Sequence, residues 1–411
     1  MRDGLAQNVR RVGWAALCVC GSLFAAAGTA AATPSTVMIT PGSGFASDFF
    51  PYLGRPTVSA GGRFVAFDSG RSDIIAGDSN DASDVFVRDM ATGVTERVSV
   101  SSGGAQANGD SSGPVDISAG GRFVLFASDA TNLVRSDQND FDDVFLRDRE
   151  LGTTTIVPHI TVDVGGTWVM SANGRFFAAG PPGHDNTIIR YDRLTGKLKQ
   201  TRVGSDEAGV VDVSDNGRAV LVNGSSGPRV WKPLTGGLVR FDQAVGGRVA
   251  DPFAPYPDAI SGNGRFVMFD SRSSNLIRHD TNGTWDVFVR NLAAHHTRRI
   301  SVGNTAGRQA NRSSGGLGLS ADGRYRLFDS KATNLVPGDT NGKIDIFVRD
   351  HHLHTTVRCS VSTTGVQGSG RSFGGAIAEN TLYAAFLSSS TNLTPGDTNG
   401  RIDIFERGPG C

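Results

Sequence analysis

Ser59-Ala60-Gly61-Gly62-Arg63-Phe64-Val65-Ala66-Phe67 decides the fold, because the same phrase returns along the chain. It recurs as SAGGRFVLF from Ser118, SANGRFFAA from Ser171, SDNGRAVLV from Ser214, SGNGRFVMF from Ser261 and SADGRYRLF from Ser320. A seventh, degraded copy, AENTLYAAF, begins at Ala378 and has lost the Gly-Arg pair. Gly62, Gly121, Gly174, Gly217, Gly264 and Gly323 fall 43 to 59 residues apart. Self-similarity at that period marks a repeat architecture in which each repeat is one supersecondary unit.

The sixth repeat shows what the unit is. GGLGLS reads as a short strand that ends in the Ala321-Asp322-Gly323 turn, and RYRLFDS as a second strand. The polar loop NLVPGDTNGK leads to a third strand, DIFVRD, and a turn at His351-His352 leads to a fourth, TTVRCSVS. Each run is β-branched or aromatic and bounded by Gly, Asp, Asn or Pro. Runs such as VFV (85–87) and IFV (346–348) are apolar on both faces, as in a sheet packed between two others. Four-stranded units repeated around a ring make a propeller, which leaves only short, protected edges. The expected fold is therefore all-β, a seven-bladed β-propeller of four-stranded blades.

The two ends of the chain predict how the ring closes. The seventh repeat stops after its third strand, IDIFERG. STVMITPGSG from Ser35 matches the fourth-strand phrases TERVSVSSGG from Thr95 and TRRISVGNTAG from Thr297. The N-terminal strand is expected to pair with the last blade and latch the ring.

Residues 1–32 read as a secretory signal: Arg2, Arg10 and Arg11 start it, an apolar Trp14-to-Ala27 stretch follows, and Ala30-Ala31-Ala32 ends it. The propeller then spans 33–411, in a secreted or cell-envelope protein. No later segment is apolar enough to cross a membrane. The chain carries 40 Lys and Arg against 40 Asp and Glu, so it is neutral overall. Losing 1–32 removes three Arg and one Asp and leaves a net charge of −2. That balance excludes a general electrostatic attraction to nucleic acid or to an anionic membrane. Two cysteines remain, Cys359 and Cys411. An even count in a secreted chain permits a Cys359–Cys411 disulfide, and two free thiols are the alternative.

The phrase Ser-x-x-Gly-Arg-aromatic-Val-x-Phe, followed by Asp-[Ile/Val]-Phe-Val-Arg-Asp and a Thr-Gly turn, resembles the TolB-type β-propeller repeats of secreted and periplasmic bacterial proteins. The resemblance covers essentially all of 33–411. It implies a propeller outside the cytoplasm, without the α/β domain that precedes the propeller in TolB.

Repeated acidic loops are the main functional clue. In five repeats the loop before the third strand reads Asp-x-Asn-x-x-x-Asp: Asp78, Asn80 and Asp84; Asp137, Asn139 and Asp143; Asp280, Asn282 and Asp286; Asp339, Asn341 and Asp345; Asp397, Asn399 and Asp403. Oxygen ligands at positions 1, 3 and 7 of a tight loop suit Ca²⁺. The fifth position holds Ala82, Phe141, Thr284, Lys343 and Arg401, so an EF-hand ligand is missing. The structural alternative is Asx-turn chemistry with a strand-capping Asp. No cofactor other than Ca²⁺ is expected.

These loops share a face with the long polar connections between blades, such as SSGGAQANGDSSG and GNTAGRQANRSSG. Loops on a rigid scaffold are where binding concentrates. The expected function is a non-enzymatic binding scaffold whose long-loop face recognises a protein or polysaccharide. The alternative is a carbohydrate-active or other hydrolytic propeller enzyme with carboxylates lining the central channel. GDSSGP at Gly109 and GRSFG at Gly370 imitate serine-hydrolase motifs. Both fall in blade-joining loops with no following helix, so no catalytic residue is assigned. His295, His296, His351, His352 and His354 are read as exposed turn histidines. The recurrent Arg88, Arg147, Arg290 and Arg349 are expected to pair with carboxylates of an adjacent blade.

Overall fold

The structure is a computed structural model. It describes residues 34–40, 55–135, 137, 142–161, 166–180, 186–204, 208–224, 227–244, 255–304, 308–380 and 382–411. The expected signal segment and Asn139 lie outside the described residues. Seven four-stranded antiparallel sheets form the blades of a propeller. Blades 1 to 6 span 57–97, 111–161, 167–202, 208–240, 256–299 and 314–358. Blade 7 joins three strands within 372–408 to the N-terminal strand Ser35–Met38. The first strand of each sheet touches the first strand of the next, around to blade 1, so these strands form the inner layer.

Closure follows the sequence expectation. Ser35 registers with Gly408, and Met38 with Phe405. Ile39 N–H donates to the Ile404 carbonyl at 2.7 Å. The latch also reaches the connection leaving blade 6, where Thr36 Oγ1 donates to the Val361 carbonyl at 2.6 Å, while within blade 7 the same hydroxyl accepts from Arg407 Nη1 at 2.8 Å.

Each residue of the repeated phrase has a physical task. The Ser hydroxyl accepts the N–H of the aromatic residue five positions on, at 2.9–3.0 Å, and so caps the first turn. The Gly sits at a φ of 61–75° in every copy. In all copies but that of Gly264, which meets Ala219, it also receives an aromatic ring of the preceding blade: a Cβ on Gly121 would stand 2.1 Å from the Phe64 ring, and one on Gly323 2.4 Å from Phe266. No other residue satisfies both demands. The Arg pairs with the Asp that ends the third strand of its own blade, as in Arg122–Asp148 at 2.7 Å and Arg324–Asp350 at 2.8 Å. Within blades, phenylalanines opposite one another on the second and third strands stack in pairs such as Phe67 with Phe86 and Phe328 with Phe347, with centroids 5.7 and 5.6 Å apart.

Two sequence readings are resolved here. Arg88, Arg147, Arg290 and Arg349 do not seek carboxylates. Each donates to the outer-strand threonine, Thr95, Thr154, Thr297 or Thr356. Arg147 and Arg349 also reach the Ser101 and Val302 carbonyls of the preceding blade. Main-chain acceptors satisfy a half-buried guanidinium without burying a second charge. The serines of the hydrolase-like motifs are staples: Ser111 and Ser372 bond Ser128 and Ser388 at 2.8–2.9 Å, as Ser314 at the same place in blade 6 bonds Ser330. Among the described residues no helix is long and apolar enough to cross a membrane.

Candidate functional site

Antiparallel strands put the two tight turns of blades 1 to 6, and the one of blade 7, on one face, the turn face. The acidic loops and the blade-joining loops lie on the other, the loop face. On the loop face the Asn of the acidic loop does the turn chemistry. Asn80 Oδ1 accepts the Ala82 N–H at 3.3 Å, and its amide donates to Asp84 at 3.2 Å and to the Ala107 carbonyl of the joining loop at 3.0 Å. Asn282 and Asn341 repeat the pattern.

The two carboxylates of each loop are not alike in all blades. In blade 1, Arg97 Nη1 stands 3.1 Å from Asp84 and 3.5 Å from Asp78. In blade 5, Arg299 lies 2.9 Å from Asp280 and 3.1 Å from Asp286. In blade 6, Arg358 lies 3.5 Å from both Asp339 and Asp345. An outer-strand guanidinium thus sits between the acids of these three blades. Its register position, opposite the third-strand phenylalanine, is held by Ile156 in blade 2 and Met38 in blade 7. Blade 2 leaves Asp137 Oδ1 buried without a hydrogen-bond partner. Blade 7 leaves Asp397 only 6 % exposed, with no side-chain partner among the described residues. Burial and then the Asp403 charge push the Asp397 carboxyl up from its ordinary range. Asp403 accepts Thr40 Oγ1 and the Asn399 amide, both at 2.9 Å. Among the described residues no group of three or more His, Cys, Asp or Glu is arranged to hold a metal. His295, His296, His352 and His354 are exposed, and His351 is half-buried.

The inner layer holds acids that the loop motif did not announce. Where the inner strands end on the turn face they surround a cavity of about 150 Å³ lined by Asp116, Asp212, Asp215 and Glu379. Asp116 Oδ2 accepts the Met170 N–H of blade 3 at 3.0 Å, and Asp212 Oδ2 the Ile260 N–H of blade 5 at 2.8 Å. Asp215 accepts the Ala172 N–H at 3.1 Å. These bonds staple neighbouring blades and fix the acids at the mouth. Bulges in the inner strands near Asp116 and Asp212 break the pleat and re-aim the side chains. Burial, opposed by the amide bonds and reinforced by the other acids, pushes Asp116 and Asp212 to about 7. Burial and the charges of Asp215, Asp116 and Asp212 push Glu379 to about 8.

A second set lies toward the loop face, with Asp258 on an inner strand and Asp68, Asp270 and Asp329 on second strands. Asp270 Oδ1 accepts the Gly316 N–H of blade 6 at 2.8 Å. Asp258 and Asp270 meet carboxyl to carboxyl, and burial holds Asp258 at about 7 and Asp270 well above its ordinary range. Asp68 and Asp329 stand at about 6, again through burial. The sequence carried a faint signal for these residues. Asp116 and Asp212 sit two residues before the motif serine inside an apolar strand, and Asp68, Asp270 and Asp329 share the recurring Phe-Asp-Ser.

Cys359 and Cys411 are free thiols buried in one apolar cluster, side by side.

No protein-family model matches the sequence, and no curated protein does. Solved structures match through the fold. The propeller domain of the trilobed protease from Pyrococcus furiosus, described as having an open velcro topology, aligns with a TM-score of 0.54 and 10% identity over 88% of this chain and 98% of that one. An oligogalacturonate lyase in complex with manganese aligns with a TM-score of 0.52 and 10% identity over 91% and 93%. TolB from Acinetobacter baumannii aligns with a TM-score of 0.39 and 11% identity over 74% and 62%. At these identities the likeness is to the propeller architecture and assigns no residue of a site. The chain is a seven-bladed β-propeller latched by its own N-terminal strand.

Proposed function

We propose that this propeller is a non-enzymatic binding protein whose channel mouth seats a lysine or arginine side chain of a protein partner. One observation carries the reading: Asp116, Asp212, Asp215 and Glu379 converge on a single cavity whose lining contains no basic residue. Four carboxyls in a poorly solvated mouth raise one another's proton affinity. An entering cation relieves that repulsion in a low-dielectric setting, where the attraction is strongest. Val58, Ile117, Val213, Ile260, Leu319 and Ile377 supply an apolar collar for the aliphatic stem of such a side chain. This moves the binding surface from the long-loop face to the turn face and favours a protein over a polysaccharide. A signal at 1–32 puts the surface outside the cytoplasm. There Ca²⁺ is available to the Asp397 loop, and the adjacent Cys359 and Cys411 thiols can oxidise to a disulfide.

Calorimetric titration with pentalysine tests the reading. Binding is expected to tighten as pH rises from 6 to 9, because a bound cation favours the deprotonated carboxyls. The Asp212→Asn/Glu379→Gln variant should bind at least about tenfold more weakly. Equal affinity in the variant overturns the proposal. A second reading, hydrolysis by paired carboxyls, is favoured by the Asp258–Asp270 contact, since two carboxyls sharing a proton suit general acid–base work. A glycoside-hydrolysing activity lost in Asp270→Asn, with pentalysine binding intact, would select it.

A further inference from the structure

Two seams between blades are built alike on the turn face, and the seam between blades 5 and 6 departs from them electrically. In the seam between blades 1 and 2, Arg149 lies over the Phe64 ring, 4.5 Å from its centroid, donates to the Gly121 carbonyl and pairs with Glu96. In the next seam Arg193 lies 4.2 Å over Phe123 and donates to the Gly174 carbonyl at 3.0 Å.

The seam between blades 5 and 6 keeps the ring, Phe266, and the turn glycine, Gly323, and changes the rest. The residue at the Arg149 position is His351, because both directly follow the Asp that ends the third strand. An arginine comes instead from within the second strand. Arg326 registers opposite Arg349, as Val65 does opposite Arg88 and Val124 opposite Arg147. A buried apolar position of the repeat has become a guanidinium only 2 % exposed. Its hydrogen bond is from Nε to the Gly323 carbonyl at 3.2 Å, and no carboxylate pairs with it among the described residues. The position that supplies Glu96 in blade 1 supplies Arg298 here: Glu96 registers with Val87, and Arg298 with Val289. The carboxylate that neutralises the first seam is replaced by a second cation.

These substitutions open a cleft of about 220 Å³ lined by Arg326, Arg298, His296, His351, Asn291 and Phe266, with no acid in its wall. Burial, Arg298 and Arg349 push Arg326 down to about 10, and burial, Arg326 and Arg298 push His351 down to about 4. A guanidinium buried to this degree is costly unless a charge opposes it.

We propose that this cleft is an anion site for a phosphate or sulfate group, held by the Arg326 and Arg298 guanidiniums with Asn291 and the two imidazoles as further donors. Planar guanidiniums suit a tetrahedral oxyanion, which they can meet with two parallel hydrogen bonds. The site is separate from the acidic channel mouth and does not depend on its occupant.

Thermal unfolding of the whole chain in inorganic phosphate, inorganic sulfate and chloride at matched ionic strength tests it. Phosphate and sulfate should raise Tm by about 3 °C or more over chloride, through binding to the native state. Arg298→Glu restores the blade 1 arrangement at an exposed position. It should raise Tm in chloride alone and abolish the oxyanion response. Arg326→Val, the repeat's own residue, should abolish the response as well. Equal Tm in all three anions for the native sequence, or a response that survives in Arg298→Glu, overturns the site. A sulfated disaccharide run beside inorganic sulfate identifies the source: tighter binding of the saccharide means a group carried on a larger ligand, and equal binding means the free ion.

Discussion

Blades 6 and 7 follow one plan with different materials. Blade 6 is a continuous stretch, 314–358, and its outer strand brings Arg358 between Asp339 and Asp345. Blade 7 borrows its outer strand from the other end of the chain, and the residue in the same register is Met38. Its third strand also carries Glu406 where blade 6 has Val348. The result, among the described residues, is a buried Asp397 without an arginine beside it and a buried Glu406 with an unpartnered oxygen, both in the blade that closes the ring. The comparison teaches that charge balance belongs to the assembled blade rather than to the acidic loop. The same loop sequence is neutralised or left open according to one residue on a strand two turns away.

The largest effect should come from breaking the borrowed half. Deleting 34–40 removes the whole outer strand of blade 7 and its bond to the connection leaving blade 6, and bares the 403–408 strand as an edge. Loss of a single cooperative melting transition is expected in circular dichroism. A melt superimposable on that of the full chain would mean that the strand decorates the ring without closing it.

Next comes an exchange of the two loops' characters. Arg358→Met turns blade 6 into blade 7 and removes the cation from between two buried carboxylates that keep their bonds from Gln367, Asn341 and Ser360. Removing one partner of such a pair costs about 3–5 kcal/mol. Met38→Arg performs the reverse and should raise Tm. The acidic loops are expected to answer Ca²⁺ only where the arginine is missing. Millimolar Ca²⁺ against chelator should therefore shift the native chain, shift Arg358→Met further, and shift Met38→Arg or Asp397→Asn much less. If Met38→Arg keeps the full Ca²⁺ response, the ion does not bind at blade 7.

How much of this was legible follows from where the partners lie. The phrase Ser-x-x-Gly-Arg-aromatic was readable because its constraints recur: a turn cap within five residues in six blades, and in five of them a glycine facing an aromatic ring of the preceding blade. The latch was readable because STVMITPGSG kept the look of a fourth strand. The acidic loops were readable as loops, but which of them carry an arginine was not, since Arg97 and Asp84 meet only through strand register. The channel mouth was hidden for a stronger reason. Asp116, Asp212 and Glu379 come from three repeats, and only ring closure brings them together. Arg326 stood in plain view as the odd residue of SADGRYRLF. Its meaning needed the Glu96-to-Arg298 exchange in the blade before it.

The smallest and most selective test concerns Glu406. It is 4 % exposed, its Oε1 has no hydrogen-bond partner, and burial alone pushes its carboxyl up to about 8. A carboxyl raised in the folded state holds its proton while the unfolded chain, with an ordinary value near 4.5, has lost it. Folding is therefore unpenalised below about pH 4, loses stability as pH climbs toward 8, and loses no more once both states are ionised. Glu406→Val, which gives blade 7 the residue of blade 6, should leave Tm unchanged at pH 4 and raise it by about 5 °C at pH 8. The channel acids impose a similar slope of their own, so the informative quantity is the difference between the two proteins at each pH. A constant difference would mean that Glu406→Val acts through packing, and a difference that opens between pH 4 and 8 would mean that the glutamate is kept in the closing blade at a cost in stability that depends on its proton.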